Sequence, residues 1–288
     1  MKGEVNMATV KETVESGITP ITLGFSNVQF FNTDERVVRT ALIVNSLDLG
    51  VLEYAQYRFV ARRTKVGNQL VRRHLEKLFR RIPELLSEHP EIKCFTVPVY
   101  ARLLSESELA AMLVDMISLY PEVPPSKICI ELSADLLYED LAAAAEKIDE
   151  LCALGVSVAI SEVGDQFCPV FRLSEIKFDY AFMDAYSTAY LGGAEQDRVA
   201  GSLVKYLHYL DVKVIAPGLE SEAAIKGAAE VGADGYTTDK INGDVGYGVE
   251  PVADGAEKSD ELVEDEESDT EDAASVIEDT VGGVSDEE

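Results

Sequence analysis

Eight short apolar runs, each separated from the next by a longer stretch, constrain this chain more than anything else in it. The runs are Ile21 to Phe25, Val37 to Val44, Ile92 to Val99, Lys127 to Leu132, Val156 to Ile160, Ile176 to Phe178, Val212 to Ala216 and Gly235 to Thr237. Helical periodicity fills Asn68 to Ser87, Glu106 to Leu119, Leu136 to Leu154, Glu195 to Leu210 and Glu220 to Val231. Gly155 and Gly232 each follow a helical stretch, as helix-terminating glycines do. Strands alternating with helices predict an α/β fold with a largely parallel sheet. Eight of them over about 230 residues point to a TIM-like (β/α)8 barrel, with a doubly wound sheet as the alternative. In either fold, reacting groups collect at the carboxyl ends of the strands. Glu162 and Asp179, each closing an apolar run, are the first candidates, with Lys177 between them.

Charge divides the chain into parts. The net charge is −28, yet seventeen acidic residues and only Lys258 lie between Glu250 and Glu288. That segment is too poor in apolar residues to offset the entropy of ordering, so a disordered acidic tail is expected over 249–288. Residues 1–17 read as a flexible arm and 18–248 as the barrel. An acidic chain is a poor ligand for DNA or RNA, whose phosphates need a basic surface. Cations do cluster between 58 and 81, at Arg58, Arg62, Arg63, Lys65, Arg72, Arg73, Lys77, Arg80 and Arg81. They read as a solvated helix face, or as a docking surface for an acidic partner or the chain's own tail.

The four cysteines are scattered, and three of them (Cys94, Cys129 and Cys152) sit in apolar runs, as buried reduced thiols do. They form no zinc-type pair, and the dispersed histidines suggest no nucleophile pairing. The amino-terminal stretch lacks the apolar core of a signal peptide, and no run is long enough to span a membrane. A cytoplasmic protein without membrane association is expected.

The ordered motifs resemble the EAL domain of bacterial cyclic di-GMP phosphodiesterases. ALGVSVAISEVG is similar to the family's run into D-D-F-G, and EIKFDYAFM to its L-K-I-D-x-x-F segment. DVKVIAPGLESEAAIKGAAEVGADGYTTDK resembles V-V-A-E-G-V-E-T, its helix and Q-G-Y; ICIELSADLL resembles the strand written E-I-T-E. Upstream, FSNVQFFNTDERVVRTALIV follows the family's first hairpin. The resemblance runs from about Phe25 to Lys240 and implies an EAL-type barrel. It also implies hydrolysis of a phosphodiester by two divalent cations held among carboxylates, which activate water and neutralise phosphate charge.

On that resemblance much of the machinery is replaced. Thr40 stands for the signature glutamate, Val44 for the arginine after it, and Pro98 for the asparagine after strand three. Ala134 and Pro217 replace glutamates, Ser161 and Glu162 stand for the aspartate pair, and Asp234 for the glutamine before G-Y. Glu131, Glu162, Lys177, Asp179 and Glu220 remain as family positions. Glu131, Glu162 and Asp179 could hold one magnesium or manganese ion; otherwise they are solvated carboxylates with Lys177 as ion-pair partner. Glu220 also reads as an acidic helix start, and Phe182 and Tyr236 as core or rim aromatics.

Several catalytic groups missing at once imply a pseudoenzyme. The expected role is a regulatory protein-protein interaction module in bacterial signalling, with no cofactor. A cyclic di-GMP-binding sensor and a weak residual metal-dependent phosphodiesterase are the alternatives. A homodimer is a further expectation of the resemblance.

Overall fold

The computed structural model describes residues 21–46, 50–105, 108–165, 168–188, 191–192 and 196–238. The expected arm at 1–17 and the acidic segment at 249–288 lie outside them. The strands are β1 (Ile21–Phe30), β2 (Arg36–Ser46), β3 (Gly50–Leu52), β4 (Ile92–Val99), β5 (Ile128–Ser133), β6 (Ser157–Val163), β7 (Tyr180–Met183), β8 (Lys213–Ala216) and β9 (Gly235–Tyr236). The helices are α1 (Tyr54–Ala61), α2 (Lys65–Glu88), α3 (Ala101–Ser105), α4 (Glu108–Leu119), α5 (Leu141–Ala153), α6 (Ala185–Thr188), α7 (Gln196–Tyr209) and α8 (Glu222–Glu230).

A closed eight-stranded barrel results. Strands β2, β4, β5, β6, β7, β8 and β9 run parallel in that order. β1 is reversed, pairing antiparallel with β2 on one side and β9 on the other, and so seals the ring. The short β3 hangs on the far end of β2. The expected EAL-type barrel is the observed one, with its first strand antiparallel.

Side chains alternate across each strand and separate two cores. Inside the barrel, Val28, Val37, Cys94, Cys129, Ala159, Tyr180, Phe182 and Ile215 pack together. Outside, residues such as Val38, Leu42, Phe95 and Ile130 meet the helices. The long α2 buries Leu70, Val71, Leu75, Leu78, Phe79, Ile82 and Leu85 although Pro83 lies inside it. Seven such side chains contribute on the order of 10 kcal/mol, more than the roughly 3 kcal/mol cost of an interior proline.

Three expectations change. The strand placed at Ile176 to Phe178 starts instead at Tyr180, because pairing with β6 begins at Ala159 and Tyr180. The alternation of Ile176, Phe178, Tyr180 and Phe182 hides that start from a periodicity argument. The helix placed at Leu136 to Leu154 is two elements: a 3-10 turn over Ala134–Tyr138, then α5. Asp140 splits them by accepting the amides of Ala142 and Ala143 at 3.1 and 3.2 Å, an N-cap within the apparent helix. Cys152 is exposed on α5, whereas Cys94 and Cys129 are buried. Gly155 and Gly232 do end their helices, both at φ +90°.

Candidate functional site

The carboxyl ends of the parallel strands surround a cavity of about 370 Å³, roofed by α1. Its floor is set by strand parity. Arg39 on β2, Thr96 on β4 and Glu131 on β5 project to the barrel interior, since their neighbours Val38, Phe95 and Ile130 pack outward. The Glu131 side chain is 5% exposed and accepts from Arg39 Nε at 3.2 Å, Arg39 Nη2 at 2.5 Å and Thr96 Oγ1 at 2.9 Å. The Arg39 guanidinium lies 4.3 Å over the Phe182 ring. A buried carboxylate is thus compensated by a fork of guanidinium donors, with an aromatic face behind the cation.

The wall is shaped by a bulge. The β6–β7 register shifts between Ile160 and Val163, and Glu162 adopts φ +64°. In a regular strand Ser161 and Glu162 would face opposite sides; here both line the cavity. A left-handed non-glycine residue costs about 1 kcal/mol or more. Glu162 is held there by Ser133 Oγ at 3.0 Å and an ion pair with Arg58.

The roof supplies the remaining cations. α1 carries Arg58 to Glu162, and Arg62, which caps its carboxyl end, reaches Asp135 at 3.6 Å. Both guanidiniums also flank the Phe59 ring, at 4.7 and 4.6 Å. Gln56 accepts from the Glu53 amide at 2.8 Å to start the helix, and Tyr57 donates to the Leu42 carbonyl at 2.9 Å to seat it on β2. Tyr54 lines the cavity, its phenol pushed up by burial and by the charge of Glu131. Sequence reasoning missed α1; the Glu53-x-x-Gln56 capping pattern between β2 and α2 was the available signal.

The structure brings only part of the expected set together. Glu131 and Glu162 line the cavity, but Lys177 and Asp179 do not. Asp179 precedes β7, at the amino-terminal rim: its carboxylate accepts from Val158 at 2.8 Å, at the start of β6. Glu162 lies four residues further along β6, roughly 13 Å at strand rise, and so at the other end of the barrel. The residues that close β7 at the mouth are Phe182, Met183 and Asp184, all lining the cavity. The family's L-K-I-D therefore corresponds in place to Ala181-Phe182-Met183-Asp184, with phenylalanine where lysine was expected. Asp184 accepts from the Ser187 amide at 3.2 Å in the first turn of α6.

Other positions also differ. Thr40 faces outward, bonded to His74 Nε2 at 2.7 Å and the Thr96 carbonyl at 2.5 Å; its neighbour Arg39 faces in. Val44 is part of the outer core. Glu220 is exposed, and the helix it precedes is capped by Ser221, whose Oγ accepts from Ala224 at 3.1 Å. Tyr236 stacks on Phe31 at 5.0 Å rather than lining the mouth. Ser161 and Pro217 line the cavity without a carboxylate to offer.

Divalent cations, which the resemblance implied, fit this donor set badly. Glu131, Glu162 and Asp135 are each committed to an arginine. Repulsion between a doubly charged ion and one guanidinium about 5 Å away is roughly 7 kcal/mol at an effective dielectric constant of 20.

A barrel of this topology, with a carboxylate-lined mouth, defines the class of protein. The family profile described as "EAL domain" matches residues 31–237, and the chain belongs to that family. The chain is 22% identical over 143 residues to "Signaling protein YkoW" of Bacillus subtilis (strain 168), covering 48% of this chain and 17% of that protein. It is similar to the crystal structure of the FimX EAL domain at a TM-score of 0.72 and 17% identity, covering 85% of this chain and 100% of that one. Against the FimX EAL domain from Pseudomonas aeruginosa bound to c-di-GMP the TM-score is 0.67 at 18% identity, covering 80% and 92%. Against the PaMucR phosphodiesterase in its c-di-GMP complex it is 0.70 at 16% identity, covering 80% and 93%. Among the described residues no helix is long and apolar enough to cross a membrane.

Proposed function

We propose that this chain is a non-hydrolysing EAL domain that serves bacterial signalling as a regulatory module binding another protein. The observation that carries this reading is the Arg39–Glu131 pair on the barrel axis. Metal-assisted hydrolysis needs carboxylates free to coordinate, and both oxygens of Glu131 are taken by arginine and threonine donors. Phe182 beneath Arg39 adds a group with no proton to transfer and no charge to offer a phosphate. Support for a protein partner comes from α2, where exposed Lys65 and Arg72, with exposed Arg63 just before them, suit an acidic surface. The reading includes a cytoplasmic location and a homodimer, the latter checked by light scattering.

The test is incubation of the full chain with cyclic di-GMP and magnesium or manganese, followed by chromatography of the products. No linear dinucleotide is expected. Its formation at a rate abolished by Glu131→Ala would overturn the reading.

A second reading, a cyclic di-GMP sensor, draws on one specific feature. Arg58 and Arg62 line the cavity beside Tyr54 and combine cations for phosphate with an aromatic face for guanine. Calorimetry with cyclic di-GMP separates the two: saturable heat without metal assigns the sensor role, and its absence leaves the partner-binding one.

A further inference from the structure

We infer that Arg58 of α1 and Arg62, the residue that caps its carboxyl end, stand in for metal ions at this mouth, so that the rim carboxylates exclude divalent cations while α1 is in place. The inference rests on the non-hydrolysing reading and names the side chains that enforce it. Five carboxylates border the cavity: Glu53, Glu131, Asp135, Glu162 and Asp184. Left alone, they would repel one another and attract any small hard cation. Three are instead neutralised by guanidiniums, Glu131 from within the barrel and Glu162 and Asp135 from the roof.

The two sources differ in kind. Arg39 is rooted in the barrel wall, whereas Arg58 comes from an eight-residue helix inserted between β3 and α2, and Arg62 from the residue that caps it. Guanidinium keeps its charge at any physiological pH and binds carboxylate with several fixed donors, so the closure does not depend on metal supply. Glu162 carries the local cost of its left-handed backbone to reach Arg58. Removing the roof cations would leave Glu162 and Asp135 facing each other across Ser133, whose Oγ lies 3.0 Å from the first and 2.6 Å from the second and can donate to one of them. That arrangement of two carboxylates and a hydroxyl offers hard oxygen ligands of the type manganese and magnesium take.

The experiment is a Mn2+ titration of the full chain followed by electron paramagnetic resonance, comparing wild type with Arg58→Gln and with Arg58→Gln/Arg62→Gln. Acidic residues elsewhere bind manganese equally in all three, so the difference is the readout. One additional bound ion per chain is expected in the variants, held at least tenfold more tightly than in wild type. Adding Glu162→Gln should abolish that gain, and Arg58→Lys alone should not produce it. Circular dichroism checks folding, and if the double variant unfolds the single one decides. The inference is overturned if wild type already holds the extra ion, if neither variant gains it, or if the gain survives Glu162→Gln. Hydrolysis by wild type would instead sink the non-hydrolysing reading, a separate outcome.

Discussion

Arg39 is a permanently charged side chain delivered to the inside of a barrel, and it stays there because Glu131 meets it. Removing one leaves a buried charge uncompensated, at a cost of about 3–5 kcal/mol. Arg39→Leu and Glu131→Leu should each lower stability by that order in urea unfolding, while the double variant loses far less than their sum. Additive losses would show that the pair is not coupled. Asp179 makes the complementary case. It resembled a metal ligand in the sequence, yet its amide donates to the Val158 carbonyl and its carboxylate accepts the Val158 amide, both at 2.8 Å. Asp234 repeats the arrangement on Val214, at 2.7 Å in each direction. Asp179→Ala should therefore cost about 1–3 kcal/mol in stability and leave ligand binding at the mouth unchanged. Motif spacing could not show this. A one-residue change of register exchanges the two faces of a strand, and the position matched to the signature glutamate, Thr40, faces out while its neighbour Arg39 faces in.

At the scale of elements, α1 decides what the mouth can do, and its seat is close. An added Cβ on Gly67 would lie 2.3 Å from the Ala61 carbonyl oxygen and 3.0 Å from the Tyr100 ring. Gly67→Ala should force α1 and α2 apart at their junction. The expected result is a lower unfolding midpoint together with faster proteolysis between Glu53 and Arg63; an unchanged digestion pattern would argue against it. The longer elements were legible because their signals are strong. α2 has a sustained apolar stripe, and β4 is a largely apolar run, broken only by Lys93 and Thr96, whose observed bounds coincide with the expected ones. The short pieces were not. α1 has too few turns to establish a period, and β7 is four residues inside a longer alternating stretch.

For the molecule as a whole, His74 gives acid sensitivity a defined origin. It lies between α2 and β2, bonded to Thr40, and burial pulls its pKa down from 6.5 to about 3. In the unfolded chain the ring takes a proton near its ordinary value, whereas the folded protein refuses it until far lower pH. The unfolded state therefore binds more protons in that window, and the contribution is complete above about pH 6.5 and lost progressively toward pH 3. Roughly 2 kcal/mol should disappear between pH 6.5 and pH 5. Urea titrations at the two pH values measure it, and His74→Gln should flatten the dependence; an equal slope in the variant would assign the effect elsewhere. At this scale the sequence was most readable, since the order of apolar runs together with the motif resemblance pointed to the barrel that β1 closes. What an alignment of motifs could not convey is which end of the barrel each charged residue occupies.

The aspartate brackets under β6 and β8 separate two responsibilities. Strand alignment is anchored at the end of the barrel opposite the cavity, by carboxylates that bond only to main chain or, through Asp234, to His208 as well. The lip of the open end is thereby spared the task of setting strand register. Substitutions can accumulate there, and a roof can be traded for another, without misaligning the staves beneath. For protein engineering the chain offers a receptacle whose lip can be rewritten while its base keeps the register.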